Sequence, residues 1–341
     1  MSTDIFEIVP AAQREAAERA VRQTFPDAAA EALSPLHGGL SGQLVMRLTV
    51  AGRAYVLRVC QVPPPVDIPQ SPFATAQIAA DLGVAPRVHY ADARAGICIT
   101  DFIESLPLWQ GLRRPEGWAQ LGALLRTLHS GPAFPVEVDT FTFLKGLQAQ
   151  LLGTGAPLPE WVLRYFERFA AVEAVVRPHL ISLPCHNDLN PNNMLFDGAR
   201  MWLIDWEAAS MNDPMLDLGN ILHWFTMEPA QEAAFLEAYF GSPPDGRQRA
   251  KLTLMRQVTR CFYTAIFMLL AVQRSQGRLP PMPERATLPA YAEVLRGLGA
   301  GTFPIGAPEG MQTFSLVIAN EAAAELELPP FAEALALLSA P

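Results

Sequence analysis

Apolar positions recur at helical spacing in "PAAQREAAERAVRQTF" (10–25), which opens on a proline, and predict a first helix there. After it, "QLVMRLTV" (43–50) and "AYVLRVC" (54–60) are two short β-rich runs separated by "AGR", the signature of a hairpin. The run "FATAQIAADLG" (73–83) returns to helical spacing and is expected to end at Gly83. "RVHYAD" (87–92) and "ICITDFI" (97–103) predict two more strands around the turn residues Ala93 to Gly96. The first hundred residues thus read as mostly antiparallel sheet with one inserted helix. From Pro115 the period is helical, in "EGWAQLGALLRTLHS", "PEWVLRYFERFAAVEAVVRPHL", "PAQEAAFLEAYF" and "RAKLTLMRQVTRCFYTAIFMLLAVQR". Pro and Gly cluster at 279–310, which predicts a meandering segment before a last helical stretch, "FSLVIANEAAAELEL". No internal repeat or low-complexity linker is visible. The pattern predicts an α+β fold, with a small antiparallel β lobe at 1–104 followed by a larger, mainly α lobe at 105–341.

One stretch breaks the helical half as loop, strand, turn, strand: "LPCHNDLNPNNMLFDGARMWLIDWE" (183–207). It sets a His, several Asp and Asn and a Glu among apolar neighbours, where polar groups are costly unless each finds a partner. Phosphoryl transfer from ATP needs ligands for magnesium, a group that orients the acceptor hydroxyl, and a cover over the phosphates. Magnesium takes hard oxygen ligands, of which one or two carboxylates suffice. The stretch supplies His186-x-Asp188, then Asn193, then Asp205 after a hairpin, the order of a kinase catalytic-loop His, base Asp, metal Asn and second metal Asp. Strand "MLF", turn "DGA" and strand "MWLI" would return Asp205 beside Asn193. Asn and Asp beside Pro191 and Gly198 are also what ordinary turns are made of. Four polar positions in kinase order, with a hairpin of the right length between them, favour the site over the turn.

"CHNDLNPNNML" followed by "LIDWEAASMNDPMLDLGN" resembles the aminoglycoside phosphotransferase and choline kinase superfamily, small-molecule relatives of protein kinases. Within it, His-Asn-Asp and "IDWE…MNDP…DL" are most similar to choline and ethanolamine kinases, since the aminoglycoside and homoserine kinases more often carry His-Gly-Asp. The resemblance covers about residues 30 to 275 and is strongest at 184–221. It implies a protein-kinase-like two-lobed fold using ATP and Mg2+. By position it makes Asp188 the acceptor-orienting base, His186 a brace of the catalytic loop, Asn193 and Asp205 the metal ligands, and Asp217 a structural anchor.

The same resemblance asks for a phosphate cover and a basic residue in the first lobe. "LHGGLSGQLVMRL" (36–48) offers Gly38, Gly39, Ser41 and Gly42, where main-chain N–H groups can approach a phosphate, although a Gly-rich turn is by itself often a plain loop. It is not a Walker A sequence. The only lysines are Lys145 and Lys251, so the basic residue of the third strand is expected to be Arg58, suited to bidentate phosphate contact. The alternative is a strand arginine that points to solvent. Kinases pair this residue with a Glu on the next helix. Here that position falls near Ala74 or Thr75, the acids Asp67 and Asp81 lie at the wrong ends, and Gln77 offers only a neutral hydrogen bond. The adenine edge would be read by main-chain groups at Asp101 to Ile103.

Composition narrows the partners. Over 341 residues, hydrophobic residues make up 50% and charged residues 17%, the balance of a packed soluble globule. A formal net charge of -9 argues against nucleic acid and suits a cationic small molecule. A quaternary ammonium is held by aromatic faces beside a carboxylate. Trp206 and Glu207 follow the metal motif directly, and Trp224 and Tyr263 add aromatics on later helices, where the alternative is a plain core role. Cys60, Cys98, Cys185 and Cys261 lie far apart among apolar neighbours and read as reduced core thiols. The N-terminus lacks a basic n-region, and the longest apolar run, 261–272, is too short to span a bilayer, so a cytoplasmic protein with no membrane partner is expected. The expected activity is an ATP-dependent small-molecule kinase acting on choline or ethanolamine. The alternatives are another acceptor (aminoglycoside, homoserine, sugar) or a nucleotide-binding pseudokinase. The tail beyond residue 280 either caps the acceptor pocket or makes a subunit contact, as in a homodimer.

Overall fold

Side chains on a strand alternate between two faces, so a run such as "LVMRLTV" can bury every second residue and leave the others for a different job. In the computed structural model, which describes residues 5–36, 43–60 and 72–340, this alternation builds a five-stranded antiparallel sheet. Helix α1 (Ala11–Thr24) precedes β1 (Ala30–Pro35), β2 (Leu44–Val50) and β3 (Arg53–Val59); α2 (Pro72–Asp81) follows, then β4 (Val88–Asp92) and β5 (Ile97–Asp101). The strand order is β1-β2-β3-β5-β4. Met46, Leu48 and Val50 of β2 and Tyr55, Leu57 and Val59 of β3 are buried with Ile97 and Ile99 against Ala17, Ala20 and Val21 of α1. The opposite face carries Arg58, paired in register with Val45 on one side and Cys98 on the other. Cys98 and Cys60 pack with Phe73 of α2, so that helix covers the Arg58 face.

The chain divides into two compact units, Met1–Glu137 with Asp188–Met211, and Val138–Asn187 with Asn212–Pro341. The boundary expected after residue 104 follows the last strand predicted in the first lobe; packing groups α3 (Leu108–Leu112) and α4 (Gly117–His129) with the sheet-bearing unit, together with the hairpin β6 (Met194–Phe196) and β7 (Met201–Leu203). That hairpin is clamped. Leu106 N–H donates to the Phe196 carbonyl at 2.7 Å, and Arg114 Nη2 to the Gly198 carbonyl at 2.7 Å. A Cβ on Gly111 of α3 would fall 2.7 Å from the Phe196 ring, so only glycine allows this approach. Asp197 closes the turn by accepting from the Ala199 and Arg200 amides, each at 2.8 Å, and from Trp202 Nε1 at 2.7 Å.

The second unit is helical: α5 (Thr140–Gly153), α6 (Glu160–Val176), α7 (Met215–Trp224), α8 (Pro229–Phe240), α9 (Gly246–Arg274), α10 (Tyr291–Gly299), α11 (Pro308–Glu325) and α12 (Pro329–Ser339). Its axis is α9, 29 residues long and so about 43 Å at 1.5 Å per residue. A capping box starts it: Asp245 accepts from the Gln248 amide while the Gln248 side chain accepts from the Asp245 amide, each at 2.8 Å. Tyr263, Phe267 and Ala271 of α9 pack with Met311, Phe314, Val317 and Ile318 of α11 and Val294 of α10. The segment expected to meander therefore contains a helix, α10. All four cysteines are buried and none forms a disulfide. Among the described residues no helix is long and apolar enough to cross a membrane.

Both lysines lie in this second unit and they differ in kind. Lys145 pairs with Glu173 at the surface. Lys251 is buried, with Nζ 2.5 Å from Asp213 Oδ2 and 2.7 Å from the His179 carbonyl, while Asp213 also accepts from the amides of Ile181 and Met215. Removing one member of a buried pair strands the other charge. Chemical denaturation is expected to show Lys251→Met losing about 3–5 kcal/mol, against less than about 1 kcal/mol for Lys145→Met.

Candidate active site

The hairpin sets the geometry of the polar stretch. Three pairs, Met194 with Leu203, Leu195 with Trp202 and Phe196 with Met201, are continued by the Ile204 amide donating to the Asn193 carbonyl at 3.0 Å. Asn193 and Asp205 therefore leave the open end of the ribbon side by side. Asp205 adopts φ +67°, left-handed backbone that is strained for a residue with a Cβ. Trp206, buried at 4% exposure, meets Phe134 edge to face with centroids 6.2 Å apart and holds the following 3-10 turn, Trp206–Ala208, in place.

Asp188 lies in the same unit. Asn193 Nδ2 donates to its Oδ2 at 2.9 Å and to its carbonyl at 2.8 Å, and Asn190 Nδ2 donates to Oδ1 at 3.1 Å. With its nitrogen so engaged, the Asn193 amide turns its Oδ1 the other way, a hard oxygen of the kind magnesium takes. Arg58 Nη2 reaches Asp205 Oδ1 at 2.8 Å and Glu207 Oε1 at 3.4 Å. Burial works against the Arg58 charge, but the two carboxylates outweigh it and raise its pKa above the ordinary arginine value. Burial raises the Glu207 pKa; Arg58 opposes that shift, and the nearby charges of Asp205 and Asp188 add to it. Three carboxylates and one guanidinium thus share one electrostatic neighbourhood.

The other first-unit expectations distribute unevenly. Gly38, Gly39, Ser41 and Gly42 lie outside the described residues. On α2, Ala74 is exposed and Thr75 buried, and Gln77 donates to Asp81 Oδ1 at 2.9 Å within the helix. The Asp101 amide is already bonded to the Arg87 carbonyl at 2.9 Å and its carboxylate to His89 Nε2 at 2.8 Å. From Phe102 to Ser105, including Ile103, the chain makes no main-chain hydrogen bond to a described residue. The open donors and acceptors begin one residue after Asp101.

In the second unit, His186 and Asn187 donate their amides to the two oxygens of Asp217, each at 2.7 Å. Asn187 is left-handed, with φ +65°. Trp224 Nε1 donates to the Tyr263 hydroxyl at 2.9 Å, with rings 5.1 Å apart at 79°, and His223 stacks on Tyr263 at 4.6 Å. Tyr263 is 4% exposed and belongs to the α9–α11 core. Burial pushes the His223 pKa well down, and the charges of Arg260 and Arg256 push it further.

A profile of the phosphotransferase enzyme family matches residues 32–252. The chain belongs to that family. Its fold is protein-kinase-like: a choline/ethanolamine kinase family protein from Mesorhizobium loti superposes with a TM-score of 0.68 at 25% identity, over 96% of this chain and 99% of that one. The choline kinase LicA from Streptococcus pneumoniae has the same fold, with a TM-score of 0.60 at 19% identity over 84% of this chain and 98% of its own. Protein LicA of Haemophilus influenzae is 38% identical over 64 residues, 19% of this chain and 24% of that protein. The match thus spans about a quarter of that curated relative's length.

Within this phosphotransferase chain, Asp188, Asn193, Asp205 and Arg58 come together, and Glu207 joins them through Arg58. Trp206, Trp224 and Tyr263 are packed into their own surroundings. The Arg58–Glu207 contact was not anticipated. The one local signal for it is the Asp-x-Glu spacing of 205–207, which a 3-10 turn converts into two carboxylates on one side. Asp217 leads to a direct prediction. Asp217→Ala strips the acceptor from two amides, one of them buried, and is expected to lower unfolding stability by about 2–4 kcal/mol in urea titration, with Asp217→Asn losing roughly half as much.

Proposed function

We propose that the protein is an ATP- and Mg2+-dependent kinase of a small hydroxyl compound, with choline or ethanolamine as the first candidates. One observation carries the reading: Asp188, Asn193, Asp205 and Arg58 lie in one compact unit, joined by the Asn193–Asp188 hydrogen bond and the Arg58–Asp205 ion pair, and they are the residue types that phosphoryl transfer uses. Asn193 Oδ1 and the Asp205 carboxylate are the groups that would hold magnesium, which when bound neutralises phosphate charge. Asp188 would orient the acceptor hydroxyl and take its proton on a carboxylate oxygen, its two asparagine donors fixing the rotamer. Arg58 would grip a phosphate through its planar fork. The main chain from Phe102 to Ser105 would read the adenine edge, and the Gly38–Gly42 loop would cover the phosphates. The Mesorhizobium loti relative, at 25% identity over nearly the whole chain, supports choline or ethanolamine as acceptor. With ATP as donor, the cytoplasm is the compartment proposed.

The packing of Trp206 and Tyr263, each 4% exposed, favours a second reading in which the acceptor is another small alcohol such as an aminoglycoside, homoserine or a sugar. A quaternary ammonium needs open aromatic faces, and these two rings are covered.

The test pairs a variant with an acceptor panel. Asp188→Asn is expected to lower acceptor-dependent ADP release by about 10²–10⁴-fold while nucleotide affinity, read by calorimetry, stays within about threefold. Undiminished turnover would overturn the role of Asp188. Among choline, ethanolamine, an aminoglycoside, homoserine and sugars, one of the first two is expected to give the highest kcat/KM; a winner from the others establishes the second reading. Nucleotide binding with no product from any acceptor would replace both by a pseudokinase.

A further inference from the structure

A half-buried guanidinium needs a carboxylate beside it, and the helix that packs over Arg58 supplies none: Gln77, its one long polar side chain there, is turned to Asp81. The acids come instead from the turn after β7. Arg58 Nη2 lies 2.8 Å from Asp205 and 3.4 Å from Glu207. These two acids do not have equal freedom. Under the function proposed above, Asp205 is a ligand of the metal, and a carboxylate oxygen that turns to a divalent cation weakens its grip on a guanidinium. Glu207 is not among the metal ligands of that reading. Its turn is pinned by Trp206 in the core against Phe134, and this holds the exposed Glu207 with its carboxylate 3.4 Å from Arg58.

We propose that Glu207 is the positioning residue for Arg58, taking the place of the helix carboxylate that this chain lacks. It acts through the guanidinium, holding it on the Asp205 side of the sheet in the orientation that meets phosphate, and it touches neither acceptor nor metal. The strand arginine and the acid that orients it are thus both reached from the sheet and the hairpin, with α2 contributing cover only. The assignment rests on the proposed function, because the phosphate is what Arg58 is held for.

Glu207→Gln, Arg58→Gln and the double variant test it. Affinity for ATP is measured by calorimetry with EDTA and again with Mg2+, beside acceptor KM and kcat, and each variant's thermal midpoint reports its folding separately. Glu207→Gln is expected to weaken nucleotide binding about tenfold in both conditions, with acceptor KM within about twofold. The double variant is expected to bind no more weakly than Arg58→Gln alone, because both substitutions remove one coupled unit. Losses that multiply would overturn the assignment. So would a raised acceptor KM with unchanged nucleotide affinity, which makes Glu207 an acceptor ligand, or a loss confined to Mg2+, which makes it a metal ligand. If the unsubstituted protein binds no nucleotide, the proposed function falls first and the assignment with it.

Discussion

Three residue pairs between β6 and β7 set the position of everything chemical in the first unit. A slip of one residue would reverse every side chain of the hairpin and carry Met194, Phe196, Met201 and Leu203 out of the core. The register is therefore locked by burial, and by clamps on both ends: Leu106 and Arg114 on the turn, and the Ile204–Asn193 bond at the open end. The Ile204–Asn193 bond extends the ribbon by one step, so the backbones of Asn193 and Asp205 both lie at that open end.

The cost of the arrangement sits at Asp205. A left-handed backbone at a residue with a Cβ is worth about 1–3 kcal/mol of strain. The next residue offsets it, since Trp206 buries a large ring against Phe134 and fixes the direction of the chain. The same turn concentrates negative charge. Glu207 and Asp205 both face Arg58; burial raises the Glu207 pKa, Arg58 opposes that shift, and the charges of Asp205 and Asp188 add to it. Three acids thus stand against one guanidinium, and Arg58 keeps that imbalance from being larger.

How far the sequence could be read follows from how local each signal is. β2, β3, α1, α2 and the hairpin were legible because period-two or helical spacing and turn residues lie within a dozen positions. β1 was missed because its burial, intermediate at Ala30 and Leu33 and otherwise exposed, leaves no alternation to see. In the second unit, prolines misled where they begin helices: Pro308 and Pro329 open α11 and α12, and α10 sits inside the Pro- and Gly-rich segment. Asp188, Asn193 and Asp205 were legible as one motif because a short ribbon connects them. The Arg58–Asp205 contact joins residues 147 apart in the chain, and the partner of a strand arginine at such a distance is decided by how the turn packs, which no short pattern records. Aromatics at helical spacing could be core or cage, and Tyr263 with its hydroxyl bonded to Trp224 is core.

The absence of lysine from the sheet-bearing unit has a chemical corollary. A reagent that acylates amines needs the ε-amine of a lysine, and Arg58 offers no amine to acylate. Its guanidinium also remains protonated across any pH at which a protein stays folded. Amine-directed proteomic profiling would pass over Arg58, and a guanidine-selective dicarbonyl such as phenylglyoxal is the class of reagent matched to it.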